Sequence, residues 1–387
     1  METILLGIVF LLFSFLGYLL DKKIFNPLFL VPFLWGVLLV SFELIPNDLF
    51  RLQEQFLKGI FIWVVSFCIG GLFFLKMKIQ AVGIYHKRLF DIYFYIVVVF
   101  APMALVMLVV EAIQSGPELF FMSLRMINTG IDEDVTFSLG KLGYIFNFTN
   151  VCCLLYTLYY EKVSKRKYYV ILIFAFLLSL VTLSRLSMVS LFISIFAILY
   201  AKGKLKKKHY GYFFIIFFIF IIVITLMRNF SADEAVDFGN TFAIYLFAGM
   251  PAFDTLHLTH QEYVGENLFR FYYAVADSFG ATYEVKNTIL DYVNVPAPTN
   301  VYTILYPFYK DFGYWGIGIF GLLYGAMYNT LHRGYIFRNG MCVILYAIIL
   351  PYLFSEFLGE FIFTNFSSHL QIFGAVMIPY LFVKGKR

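Results

Sequence analysis

A few ionisable residues stand where this apolar sequence tolerates charge least. Arg185 lies in the turn of TLSRLS between two hydrophobic runs, and Arg228 closes a third run in TLMRNF. Charge beside lipid is costly and marks a functional site unless the side chain snorkels to the interface as an anchor. The guanidinium is planar, permanently charged and shaped to grip phosphate through paired hydrogen bonds. Asp311, at the head of another run in YKDFGYWGIG, offers the complementary chemistry. A carboxyl in an apolar cavity has a raised pKa and suits a general base; at a helix start it serves equally well as a cap. Arg185, Arg228 and Asp311 are therefore the catalytic candidates.

Other residues are expected to hold a substrate. Arg125 and Arg270 fall in the two longest loops. The segment from Tyr302 to Tyr314 is dense in aromatic rings, which suit either a sugar face or an interfacial belt. Tyr302 and Tyr309 within it are binding candidates. Glu356 and Glu360 share one face if their helix continues, being four residues apart. Asp254, Glu262 and Glu266 are further loop acids. His257 and His260 are a weak metal signal, so no metal and no cofactor is expected. Cys68, Cys152, Cys153 and Cys342 all sit in apolar segments and read as small buried side chains.

The elements that must position these residues are membrane spans. Of 387 residues, 61% are hydrophobic and only 14% charged, too little polar surface to cover a soluble core. Runs long enough to cross a bilayer are expected at Thr3–Leu20, Leu28–Ile45, Gly59–Leu75, Ile92–Ile113, Leu139–Tyr160, Tyr168–Thr182, Ser187–Tyr200, Tyr210–Met227, Phe312–Leu331, Met341–Phe357 and Ser367–Val383. The first lacks a basic leader and a small-residue cleavage site, so it reads as a span and not a signal peptide. Twenty of the 29 basic residues fall in alternate connections, from Lys22–Lys23 to the terminal Lys384–Arg387. By the positive-inside rule that side is cytoplasmic. The lysine run Lys202–His209 belongs to it, as a short inside loop or as a contact for anionic lipid or nucleic acid. The fold class is all-α, a polytopic helical bundle of about eleven or twelve spans in one membrane domain, residues 1–387. It carries a large outer loop at 228–311 with short helices, and a second at 114–138. Amphipathic stretches at Thr241–Leu256 and Phe269–Tyr283 are too short or too polar to span and are expected to lie flat or dip into the bilayer.

Residues Pro298–Asn329, PTNVYTILYPFYKDFGYWGIGIFGLLYGAMYN, resemble a pattern of the O-antigen polymerase (Wzy) family. The matching positions are Thr299, Asn300, Tyr302 and Thr303, then Asp311, Phe312 and Gly313, then Gly316, Gly321 and Gly325. The SRLS turn and NPLFLVPFLW at Asn26–Trp35 look like further family features. The resemblance implies a GT-C-like glycosyltransferase of the bacterial inner membrane with its site facing the periplasm. Its substrate would be an undecaprenyl-pyrophosphate-linked oligosaccharide, joined with inversion and without a nucleotide sugar. Implied partners are a flippase and a chain-length regulator; nucleic acid is not one. Under this reading Arg185 and Arg228 hold the pyrophosphate, and the resemblance adds Asn300 and Thr303 to the binding candidates. A lipid-linked oligosaccharide flippase and an O-antigen ligase are the alternatives. The flippase should show a repeat of spans with short loops, and no repeat is visible.

Overall fold

A computed structural model of the protein describes residues 2–114, 120–129, 137, 139–205, 211, 238–258, 261–287 and 289–384. The helices follow the apolar runs. They are α1 Glu2–Asp21, α2 Pro27–Leu44, α3 Glu54–Leu72, α4 Lys87–Gln114, α5 Phe120–Thr129, α6 Ile145–Leu158, α7 Lys165–Val181 and α8 Arg185–Ala201. Three short helices follow, α9 Phe238–Phe247, α10 Gly249–Asp254 and α11 Arg270–Ser278. Then come α12 Tyr306–Ile336, α13 Gly340–Phe354 and α14 Phe366–Lys384. Among the described residues the only strands are β1 Val293–Asn294 and β2 Pro298–Thr299, paired antiparallel. By length and composition α1, α2, α3, α4 and α14 suffice to cross a membrane; α8 and α13 are apolar but shorter. The expected eighth span, Tyr210–Met227, lies outside the described residues.

The chain forms two compact units. The first comprises Met1–Ile79, Val236–Arg333 and Tyr352–Ser367; the second, Gln80–Ala235, Gly334–Pro351 and Ser368–Arg387.

In the first unit Asn26 turns α1 into α2. Its side chain accepts from Leu28 N at 3.0 Å and donates to the Gly17 carbonyl at 2.8 Å, a capped start reinforced by Pro27. α3 and α12 approach backbone to backbone. A β-carbon on Gly325 would stand 2.0 Å from the Phe67 carbonyl oxygen, and one on Gly70 2.1 Å from that of Leu322. Small residues allow such contact between apolar helices that water does not push together. Around this seam lies an aromatic core, in which Trp63 stacks on Phe308 at 5.4 Å and Phe308 on Phe320 at 4.8 Å. Phe308 is fully buried, so this part of the aromatic segment is core packing and not an exposed sugar face. The fully buried Glu356 accepts from the indoles of Trp35 at 2.7 Å and Trp63 at 3.1 Å.

In the second unit three helices carry an internal proline, Pro102 in α4, Pro351 in α13 and Pro379 in α14, and the gaps left by the last two are filled from neighbouring helices. Proline has no N–H, so the carbonyl four residues earlier loses its helical donor. Pro379 in α14 leaves Ala375, which receives the Tyr93 hydroxyl of α4 at 2.8 Å. Pro351 in α13 leaves Ala347, which receives Ser194 Oγ of α8 at 2.7 Å. In an apolar interior such carbonyls must find a partner. The four cysteines are free thiols, three of them buried.

Candidate functional site

Two clefts open in the first unit, on either side of one hydrogen-bonded wall. That wall is Asp311. Its Oδ1 accepts from Asn267 Nδ2 at 2.6 Å and Asn267 N at 3.2 Å, and its Oδ2 from Leu268 N at 2.8 Å. Asp311 does not begin a helix as the sequence suggests. α12 starts earlier, at Tyr306, and breaks at Gly313, where φ 60° and ψ −150° are not helical. The break frees the carboxyl to reach the loop instead of capping. Burial raises its pKa above the usual carboxylate value; the hydrogen bonds from Asn267 and the backbone N–H groups oppose that rise.

The first cleft, about 390 Å³, is lined by Asn267, Arg270, Asn287, Asn300, Tyr302, Thr303, Tyr306, Glu360, Thr364 and Asn365 among others. It therefore gathers four of the expected binding residues: Arg270, Asn300, Tyr302 and Thr303. Arg270 opens α11, the helix end where a cation is electrostatically misplaced. Burial lowers its pKa, and among the described residues its Nε has no hydrogen-bond partner. A half-buried guanidinium at a helix start is a ready receptor for an anion. Apart from the Glu360 carboxylate, the polar lining is carboxamide and hydroxyl, chemistry that suits sugars, set among apolar side chains such as Leu290 and Phe361. Thr303 holds the left-handed φ of 64° and is buried, and the neighbouring Ile304 N donates to the Glu356 carbonyl at 2.7 Å. The strained turn is thus pinned to the core.

The second cleft, about 640 Å³, is lined by Leu258, Gln261, Glu262, Tyr263, Val264, Lys310, Asp311, Phe312, Gly313, Tyr314 and Trp315. Trp315 is 83% exposed at its rim. Tyr309 lines neither cleft; it is buried against Phe253 and Tyr314.

The remaining acids are structural clasps. α13 ends at Phe354, short of the expected Phe357, so Glu356 and Glu360 do not share a helical face. Glu360 instead gathers the N–H groups of Ile362, Phe363 and Thr364 and the hydroxyl of Tyr324. Asp254, at the end of α10, caps α3 by accepting from Gln53 N at 2.8 Å and Phe56 N at 2.7 Å. Gln55 returns the bond, donating to the carbonyls of Phe253 and Leu256. Burial lifts the Asp254 pKa to about 6.

Arg185 and Arg125 belong to the second unit. Arg185 is the first residue of α8, behind the Ser184 cap, whose side chain accepts from Ser187 N. The preceding Leu183 adopts a left-handed φ of 49° and packs in an apolar cluster with Leu124 of α5 and Leu108 and Ala112 of α4. Elements bearing Arg125 and Arg185 are thereby packed together. Arg228 lies outside the described residues, and with it the pairing expected of Arg185 and Arg228. Sequence reasoning missed Asn267, Asn287, Thr364 and Asn365; Tyr306 was noted only as part of the aromatic segment.

Spanning-length helices and a polar cleft walled by loop segments define a multi-pass membrane protein. Residues 23–355 match the family model for O-antigen polymerases. The chain belongs to that family, as the resemblance of Pro298–Asn329 implied. An O-antigen polymerase of Shigella dysenteriae is 26% identical over 258 residues, which cover 65% of this chain and 65% of that relative. No solved structure matches the chain.

Proposed function

We propose that the chain polymerises O-antigen repeat units carried on a lipid diphosphate, at the periplasmic face of the bacterial inner membrane. The observation that carries this reading is Arg270: a half-buried cation at a helix start, whose Nε has no hydrogen-bond partner among the described residues, in a cleft whose polar lining is mainly carboxamides and hydroxyls. That combination suits a sugar diphosphate, with the phosphates at Arg270 and the sugar against Asn267, Asn300, Tyr302 and Thr303. The second cleft, across the Asp311–Asn267 wall, takes the acceptor glycan. The acceptor hydroxyl oxygen bonds to the anomeric carbon while the bond from that carbon to the diphosphate oxygen breaks. The electron pair leaves on the diphosphate, which Arg270 stabilises as charge develops. Asp311, its affinity for protons raised by burial, takes the hydroxyl proton. In-line displacement inverts the anomeric centre.

The donor lipid is read as undecaprenyl pyrophosphate, delivered by a flippase, with a chain-length regulator as further partner. Arg185 and Arg228 as diphosphate-holding residues and Arg125 as a substrate-binding residue remain part of the proposal on their sequence context alone.

Purified protein supplied with a lipid-linked repeat unit should make a ladder without any nucleotide sugar. Arg270→Ala should slow it by about a hundredfold or more, and Arg270→Lys should recover only part, since lysine lacks the paired donors. Arg185→Ala should abolish polymerisation and leave only the single repeat unit. Ladders of wild-type rate and length in Arg270→Ala would overturn the proposal.

A further inference from the structure

The second unit carries another cleft, unconnected with the reading above. It holds about 560 Å³ at the lysine-rich ends of α6, α7 and α8. Two ammonium groups border it. Lys202 Nζ donates to the Leu158 carbonyl at 2.8 Å, and Lys204 Nζ pairs with Glu161 at 2.6 Å. Both members of that ion pair are more than half exposed, so the pair is weak and replaceable by a stronger anion. Tyr160, Tyr168 and Tyr169 supply the opposite rim, with Tyr160 packed edge-on against Tyr168 at 4.9 Å.

What lies beside the cleft selects its occupant. α7 leaves it with an outward stripe of Tyr169, Ile173 and Leu177, exposed by 52%, 56% and 36%. These residues are four apart and so form one continuous apolar face. On a membrane protein such a face meets acyl chains. The cleft thus joins a cationic, hydroxyl-rich head site to a hydrocarbon track, with tyrosine at the boundary where aromatic residues favour the headgroup level. A soluble anion would use only the first half of this arrangement.

We infer that this cleft binds an anionic phospholipid, its phosphate between Lys202 and Lys204 in place of Glu161 and an acyl chain along Tyr169, Ile173 and Leu177. Basic pockets between membrane helices are known to take such headgroups. The lysine-rich loop after α8 is then more than a topological signal: its first lysines form a lipid site.

Full-length protein in a neutral detergent is titrated with phosphatidylglycerol, with phosphatidylcholine of the same chains, and with glycerol phosphate alone. Bound lipid is counted by native mass spectrometry. Phosphatidylglycerol should bind at least tenfold tighter than either of the others. Lys202→Ala with Lys204→Ala should weaken it by about tenfold or more, from the loss of two near-surface cations. Glu161→Gln removes the competing carboxylate and should tighten it severalfold, which tests the site even if the double variant fails to fold. Equal binding of the two lipids, glycerol phosphate binding as tightly as phosphatidylglycerol, or no gain in Glu161→Gln would each overturn the inference.

Discussion

Removing one hydroxyl tests how the second unit is held together. Ala375 has no helical donor because Pro379 lacks an N–H, and the Tyr93 hydroxyl at 2.8 Å replaces it. Tyr93→Phe keeps the ring and deletes only that donor. Ala375 is 9% exposed, so water offers little compensation. A buried acceptor left without a partner costs about 1–3 kcal/mol. Side-chain hydrogen bonds in membrane proteins average nearer 0.6 kcal/mol, roughly, because the unfolded chain in the membrane also finds partners. A carbonyl at a proline has fewer alternatives, which places the expected loss at about 1–2 kcal/mol. Pro379→Ala returns the missing N–H to the helix. In that background Tyr93→Phe should cost far less, giving a coupling of about 1 kcal/mol in a double-mutant cycle. Unfolding of the four proteins in detergent, followed by circular dichroism, reads the cycle. The same cost for Tyr93→Phe with and without the proline would refute the reasoning.

Gly325→Ala should destabilise by about 1–3 kcal/mol through overpacking, since its β-carbon would stand 2.0 Å from the Phe67 carbonyl oxygen. Gly318→Ala on the same helix meets nothing nearer than 3.6 Å and should gain up to about 1 kcal/mol of helix propensity; thermal melts of the pair should move in opposite directions. Asp254 has a folded pKa of about 6 against an ordinary 3.8, so the folded state holds its proton more tightly. Its contribution to stability is full below about pH 4 and lost as pH rises through about 6. Melting temperatures of Asp254→Asn should lack that slope and lie lower, because the amide oxygen cannot serve both N–H groups of α3. Asp311→Asn and Asp311→Ala should both lose at least about a hundredfold in polymerisation, whereas near-normal activity in the asparagine variant would restrict Asp311 to holding the wall.

The helices were largely legible because each apolar run is long and bounded by charge or by Asn-Pro and Gly. Asn26 with Pro27 announces the start of α2 in two residues. The break at Gly313 was not legible: DFG before a glycine-rich run reads equally as the start of a helix or as a bend within one, and Asp311 declares its purpose only through Asn267, 44 residues away. The extent of α13 failed for a related reason. Residues after Phe354 stay apolar enough to look helical, yet the chain turns so that Glu356 meets Trp35, 321 residues distant. Arg270 and Tyr302 were found by residue type and context, Asn300 and Thr303 by the family resemblance, and all four share one cleft. The carboxamides that complete it lay in loops where composition alone singles out no residue.

The placement of the three tryptophans has a practical consequence. Trp35 and Trp63 sit in a dry interior, bonded to one carboxyl, while Trp315 stands open beside the larger cleft. Quenchers added from outside will therefore darken one indole and spare the other two. Ultraviolet emission from the unlabelled protein becomes a direct gauge of what occupies that cleft.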